Sequence, residues 1–178
     1  MDNGFPTVLR NLSLAYFNKL GKKKEAVQLL EQAFMLDETD ARILMELDQL
    51  YKRMDYSPKE RLHLLNKHKE IIATRDDLYL EYATLLNLTG EYEQAMQLID
   101  QRQFHPWEGG EGKVPAQYQL ARVELAKQAL TAGNNQEAIA LLEECLEYPH
   151  HLGEGKLYGA QENDFYYFLG CAYENLNR

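Results

Sequence analysis

The tetrapeptide Gly-Glu-Gly-Lys occurs twice, at Gly110–Lys113 and Gly153–Lys156, 43 residues apart. Glycines beside a lysine are the ingredients of a phosphate cradle, in which backbone N–H groups surround the anion and the ammonium rests on it. The spacing does not complete that chemistry. A phosphate loop needs a glycine five residues before the Gly-Lys pair and a Ser or Thr after it. Trp107 and Val114 stand there in the first copy, His150 and Leu157 in the second. No strand signal precedes either copy. The simpler reading is a tight connector whose glycines allow positive φ. Glu111 and Glu154 can then accept N–H groups at the next helix start, and Lys113 and Lys156 can pair with a neighbouring loop or with helix carbonyls. Copies at equivalent places should stack side by side. Trp107 either plugs the space between repeats or offers an aromatic platform to a ligand, since Trp favours interfaces and sugar stacking.

Other reactive types are scattered. His63 and His68 are five apart on a helix, poorly placed to share a ligand. His150 and His151 are adjacent and diverge in extended chain. His105 and His150, in equivalent loops, could approach each other near Glu111 or Glu154, but loop histidines are more commonly solvated. Cys145 and Cys171 lie in apolar helical surroundings and read as free buried thiols. The pairs Asp76-Asp77 and Glu143-Glu144 read as exposed helix charge. No Ser-His-Asp or Cys-His arrangement is recognisable. No catalytic residue, no metal site and no cofactor are expected.

The elements that carry these residues are helical. In Leu78–Leu86, Tyr79, Tyr82, Ala83 and Leu86 share one face, and Tyr92, Ala95, Met96 and Ile99 share another beyond Gly90. That is a helical hairpin, closed by a glycine suited to a left-handed helix end. No stretch sustains two-residue alternation. The hairpin turns recur at Gly21, near Asp55-Tyr56, at Gly90 and at Gly133, spaced 34, about 35 and 43. The first two spacings are those of a two-helix repeat, and the third has gained the glycine loop. Small residues fall where paired helices would cross. They are Ser13, Ala26 and Ala33 (with Tyr16); Ala83 and Ala95 (with Leu86); and Ala126, Ala129, Ala138 and Cys145. Helix axes approaching to roughly 8–10 Å leave no room for more. Arg102 replaces the last alanine of the third set. The second set departs further. Asp48 sits at its small position, and Ser57-Pro58 with Glu60 forms a capping box at the start of its second helix.

This pattern resembles the tetratricopeptide repeat family. The resemblance implies an all-α solenoid of about four and a half hairpins. They cover approximately 6–39, 40–74, 75–116 and 117–160, with a half repeat at 161–178. The last two periods are lengthened by the Gly-Glu-Gly-Lys loops, and the whole reads as one domain over 1–178. A longer signature is Phe104-His105-Pro106-Trp107-Glu108-Gly109-Gly110-Glu111-Gly112-Lys113, with Leu152–Leu157 and Gln161–Asp164. It resembles the C-terminal repeat region of large bacterial proteins of unassigned function. In those, a β-sandwich resembling carbohydrate-processing folds precedes the helices. Asp40–Tyr51 is similar to that region too. The resemblance implies that this chain is a fragment of a longer protein. The last half repeat lacks a polar cap, which is consistent with that.

Charge narrows the function. Residues 1–75 carry 13 Lys and Arg against 11 Asp and Glu, while residues 76–178 carry 6 against 17. A chain of net charge −9 with so acidic a second half is not built to neutralise phosphates, so nucleic acid is not an expected partner. Lys22-Lys23-Lys24 reads as a solvated turn. No apolar run spans a membrane and no leader pattern opens the sequence, which favours the cytoplasm without fixing the compartment. With 45% apolar residues a core is available. In tetratricopeptide-like solenoids the first helix of each hairpin lines the inner groove. On this register the groove residues are Arg10, Phe17, Arg42, Met45, Gln49, Lys52, Leu80, Thr84, Asn87, Lys127 and Tyr167. Cationic, polar and aromatic types interleave there, which suits an extended segment or an acidic chain end. The expected function is a non-catalytic interaction module. Its partner would be a protein, a peptide or the N-terminal region of its own full-length chain. The loop ridge Trp107, Glu111, Lys113, Glu154 and Lys156 is a secondary surface. The alternative is an accessory helical region of a carbohydrate-active enzyme. Oligomeric state stays open.

Overall fold

The computed structural model describes residues 5–177. Residues 1–4, part of the stretch without a leader pattern, and residue 178 lie outside the described residues. Among the described residues the regular structure is helical throughout, with no strand. The fold is an α-solenoid of helix hairpins. It divides into two compact units, Met1–Tyr79 and Leu80–Arg178.

In the first unit, α1 (Pro6–Leu20) and α2 (Lys23–Leu36) form one hairpin, and α3 (Ala41–Arg53) and α4 (Pro58–Asn66) form the next. A single turn, α5 (Lys69–Ile72), follows. Asp40 caps α3, accepting the N–H groups of Arg42 at 2.8 Å and Ile43 at 3.1 Å. Ser57 and Glu60 make the reciprocal capping box at α4 that the sequence predicts, with Pro58 at the first helical position. The second helix of this hairpin breaks after Asn66. His68 turns its ring edge onto Phe34, with centroids 4.9 Å apart. Leu30, Ala33, Leu44, Leu47 and Leu65 form the core. Each fully buried leucine contributes about 2 kcal/mol.

The boundary between the units falls within α6 (Asp76–Thr89). In the second unit come α7 (Tyr92–Asp100), α8 (Lys113–Thr131), α9 (Asn135–Leu146) and α10 (Asn163–Leu176), with a 3-10 turn at His150–Leu152. Ala126, Ala138, Leu142, Leu169 and Ala172 pack α8, α9 and α10 together. Helix α8 starts at Lys113, four residues inside the repeat boundary expected near 117. Gly112, at φ +73°, ends the loop and the helix begins at once. Lys113 is therefore a helix residue, not a loop residue. No helix among the described residues is long and apolar enough to cross a membrane.

All four turns fall where the spacing places them. Gly21, Gly90 and Gly133 have φ of +64°, +86° and +82°. The second turn uses Asp55 at φ +61°, the one non-glycine residue in that region among those described. The Tyr56 N–H closes this turn onto the Tyr51 carbonyl at 3.1 Å, as Glu91 does onto Leu86 and Asn134 onto Ala129.

The small residues are also where the register puts them. Ser13, Ala26, Ala33, Ala83, Ala95, Ala126, Ala138 and Cys145 are all buried. The Ser13 hydroxyl donates to the Ala26 carbonyl at 2.7 Å, so it is satisfied inside the crossing. Asp48 takes a partner the sequence reading omits. Arg61 Nε and Nη2 grip its two oxygens at 3.0 and 2.6 Å, with side chains 3% and 0% exposed respectively. Arg61 lies 13 residues after Asp48, as Ala26 lies 13 after Ser13. The second hairpin thus crosses over an ion pair instead of two small residues.

Candidate functional site

In the first unit, the first helices of the two hairpins leave an open cleft of about 240 Å³ between α1 and α3. Leu14, Phe17 and Leu50 make it largely apolar, and Glu46, Gln49 and Arg53 edge it. Phe17 and Gln49 are two of the expected groove residues. Met45 is half-buried nearby on α3, and Arg42 and Lys52 are exposed on the same helix. Arg10 is not available as an open cation. Its Nε donates to Glu46 Oε2 at 2.6 Å and its Nη2 to Oε1, and its side chain is 13% exposed. The bond to Glu46 raises its pKa. Arg42 Nε reaches the same carboxylate at 3.2 Å. Arg53 and Glu46 were missed in the sequence, although Arg53 follows Gln49 by one helical turn.

The second unit divides its expected groove residues between core and surface. Leu80 and Asn87 are buried, at 3% exposure each. Asn87 Nδ2 donates to the Gln117 carbonyl and Oε1 at 3.1 and 3.0 Å, tying α6 to α8. Neither residue is available to a groove ligand. Helical register gives a residue's direction but not whether another element covers it. Thr84 is half-buried and spends its hydroxyl on the Leu80 carbonyl at 2.8 Å. Between α8 and α10 lies a broader depression of about 520 Å³, which includes Lys127, Tyr167 and Phe168. Lys127 pairs with Glu124 at 2.7 Å and sits 6.0 Å from the Phe168 ring centre.

The two glycine loops lie side by side in the second unit. The Phe104 N–H donates to the His151 carbonyl, and the Gly112 N–H to Glu154 Oε2, both at 2.8 Å. Glu154 therefore serves the start of α8, on the other loop, rather than the helix that follows it. Gly153, at φ +77°, lies so near the Phe104 carbonyl that a Cβ would fall 2.6 Å from the oxygen. Trp107 rests on Gly110, where a Cβ would stand 2.5 Å from the ring. The space beside Trp107 is about 60 Å³, room for one or two waters. Glu111 is exposed. Lys156 is also exposed and pairs with Glu162 at 2.6 Å. Beneath the loops, Arg122 joins three helices. It reaches both oxygens of Asp100 at 2.9 Å and Glu144 at 2.7 Å, with its guanidinium 3.6 Å over the Tyr118 ring.

Burial pushes the Cys145 thiol up to about 12, where it stays protonated and poorly nucleophilic. Burial likewise holds Tyr118 at about 12. Among the described residues no three His, Cys, Asp or Glu side chains converge as a metal-ligand set.

Residues 8–40 match the tetratricopeptide repeat family. The matched stretch is the α1–α2 hairpin with its buried Ser13, Ala26 and Ala33. The chain is also similar in fold to a crystal structure of MamA protein. That similarity runs at 17% identity and a TM-score of 0.58, over 99% of this chain and 85% of that one. A second MamA crystal structure aligns at 14% identity and a TM-score of 0.47, over 88% of this chain and 90% of that one. At these identities the first likeness is one of fold.

Proposed function

We propose that this chain is a non-catalytic protein-interaction scaffold that binds peptide segments on the faces of its first-in-hairpin helices. The observation that carries this reading is the open apolar cleft between α1 and α3, edged by Gln49 and Arg53. An apolar trough with a few polar groups at its lip is the form that takes an extended or helical segment. The tetratricopeptide match over residues 8–40 covers one wall of that cleft. In the second unit, Lys127 and Tyr167 on the α8–α10 surface are the corresponding contact residues. The loop ridge acts as a connector in this reading.

A random peptide library displayed on phage and selected on the chain tests it. Amide NMR shifts caused by a selected peptide should cluster on α1 and α3, or on α8 and α10. Selected peptides that shift only the outer helices α2, α4 and α9 contradict the proposal.

The longer loop signature supports a second reading, an accessory helical region of a carbohydrate-active protein. The space beside Trp107 is small, about 60 Å³, so this reading rests on the resemblance rather than on a pocket. A Trp107 fluorescence titration with oligosaccharides tests it. A saturable response, with binding seen by calorimetry lost in Trp107→Ala, supports a sugar site at the ridge, and no response removes it.

A further inference from the structure

We propose that the α1–α3 cleft is a two-part subsite that takes one Leu- or Phe-sized side chain of a partner peptide together with a carboxylate on the adjoining residue. This rests on the interaction-scaffold reading and specifies what that surface recognises.

The apolar half of the subsite is in place. Leu30 and Leu50 are buried in its wall, while Leu14 and Phe17 stand half-covered at the opening. The one hydroxyl in the lining, Ser13, is already donated to the Ala26 carbonyl. An entering hydrocarbon therefore strands no polar group. About 240 Å³ suits a single large apolar side chain rather than a helix face.

The charged half follows from the ion pairs. Glu46, the carboxylate of the lining, is held by both Arg10 and Arg42. Nearby Asp40 caps α3 and Arg75 is engaged by Asp77. Arg53 is different. Its guanidinium lies over the Phe17 ring, 5.7 Å from the centre, it is exposed, and no carboxylate pairs with it among the described residues. An unmatched guanidinium stacked on the aromatic wall of an apolar cleft is a receptor for an anion next to an apolar group. The planar fork fits one carboxylate through two hydrogen bonds. Phosphate-reading sites instead gather several cations on one group, and the neighbouring arginines are already committed to Glu46. The amides of Asn18 and Gln49 at the lip can bond the peptide backbone.

The test is a fluorescence-anisotropy titration of the whole chain with labelled Gly/Ser peptides. One carries Leu-Glu-Glu at its centre, the others Ser-Glu-Glu, Leu-Gln-Gln or Leu-phosphoserine at the same place. Leu-Glu-Glu should bind, and Ser-Glu-Glu and Leu-Gln-Gln should each bind about tenfold or more weakly. Arg53→Glu, an exposed change expected to leave the circular-dichroism melt unaltered, should weaken Leu-Glu-Glu about tenfold and leave Leu-Gln-Gln unaffected. Leu14→Ser should weaken both. Binding that ignores Arg53→Glu and shifts amides on α8 and α10 overturns the subsite but leaves the scaffold reading standing. No peptide binding to either face, here or from the phage library, overturns both. A preference for the phosphoserine peptide overturns the carboxylate assignment. Self-association in sedimentation that Arg53→Glu abolishes makes a second copy the occupant and also overturns the proposal.

Discussion

The first unit closes its helix crossings with buried polar pairs, Ser13 on the Ala26 carbonyl and Asp48 on Arg61. The second unit has alanines at the corresponding register positions, Ala126 and Ala138 in one packed cluster and Ala83 and Ala95 likewise fully buried. Its polar ties lie away from the crossings, in Arg122 with Asp100 and Glu144 and in the bonds between the two loops. Alanine crossings are satisfied by contact alone and tolerate no larger group. A buried ion pair depends on both partners being present. The same backbone arrangement is therefore vulnerable to different changes in the two halves.

The largest effect should come from splitting the buried pair. Arg61→Ala strips the two guanidinium bonds from the Asp48 carboxyl, which is 0% exposed, and should cost about 3–5 kcal/mol, seen in urea unfolding of the first unit. Asp48→Ala with Arg61→Ala imitates the second unit's crossing and should recover a substantial part of that loss. A double variant as unstable as the single one would mean that the pair is not what differs between the units.

Next is Gly153→Ala, which pushes a Cβ against the Phe104 carbonyl and places alanine at φ +77°. It should cost about 2 kcal/mol in the second unit, read by thermal melting and by faster amide exchange at Phe104. An unchanged Phe104 amide would show that the two loops do not depend on each other.

The smallest effect is a gain. Asp55→Gly removes a side chain from the left-handed region and should stabilise the first unit by about 0.5 kcal/mol. It would bring that turn into line with Gly21, Gly90 and Gly133.

The turns were legible because positive φ selects glycine strongly enough to mark a period. The crossings were legible because close helix approach selects small residues. Arg61 was not, since the register asks for a small residue there and Asp48 alone does not name its partner. Only the shared offset of 13 residues pointed to it. The burial of Leu80 and Asn87 was also hidden, because covering depends on α8, far away in sequence. Gly-Glu-Gly-Lys reads as one loop motif that takes in Lys113, whereas the backbone changes state after Gly112. Of the candidate interaction surface, Phe17 and Gln49 followed from register, while Arg53 stood out only once its neighbours' charges were seen to be paired.

The central claim is that the inner face of the first unit binds a peptide segment. Amide NMR with a library-selected peptide on the intact chain tests it most directly. Shifts should centre on Leu14, Phe17, Gln49, Leu50 and Arg53. Shifts confined to the outer helices α2 and α4, or to the loop ridge at Trp107 and Glu154, would contradict it.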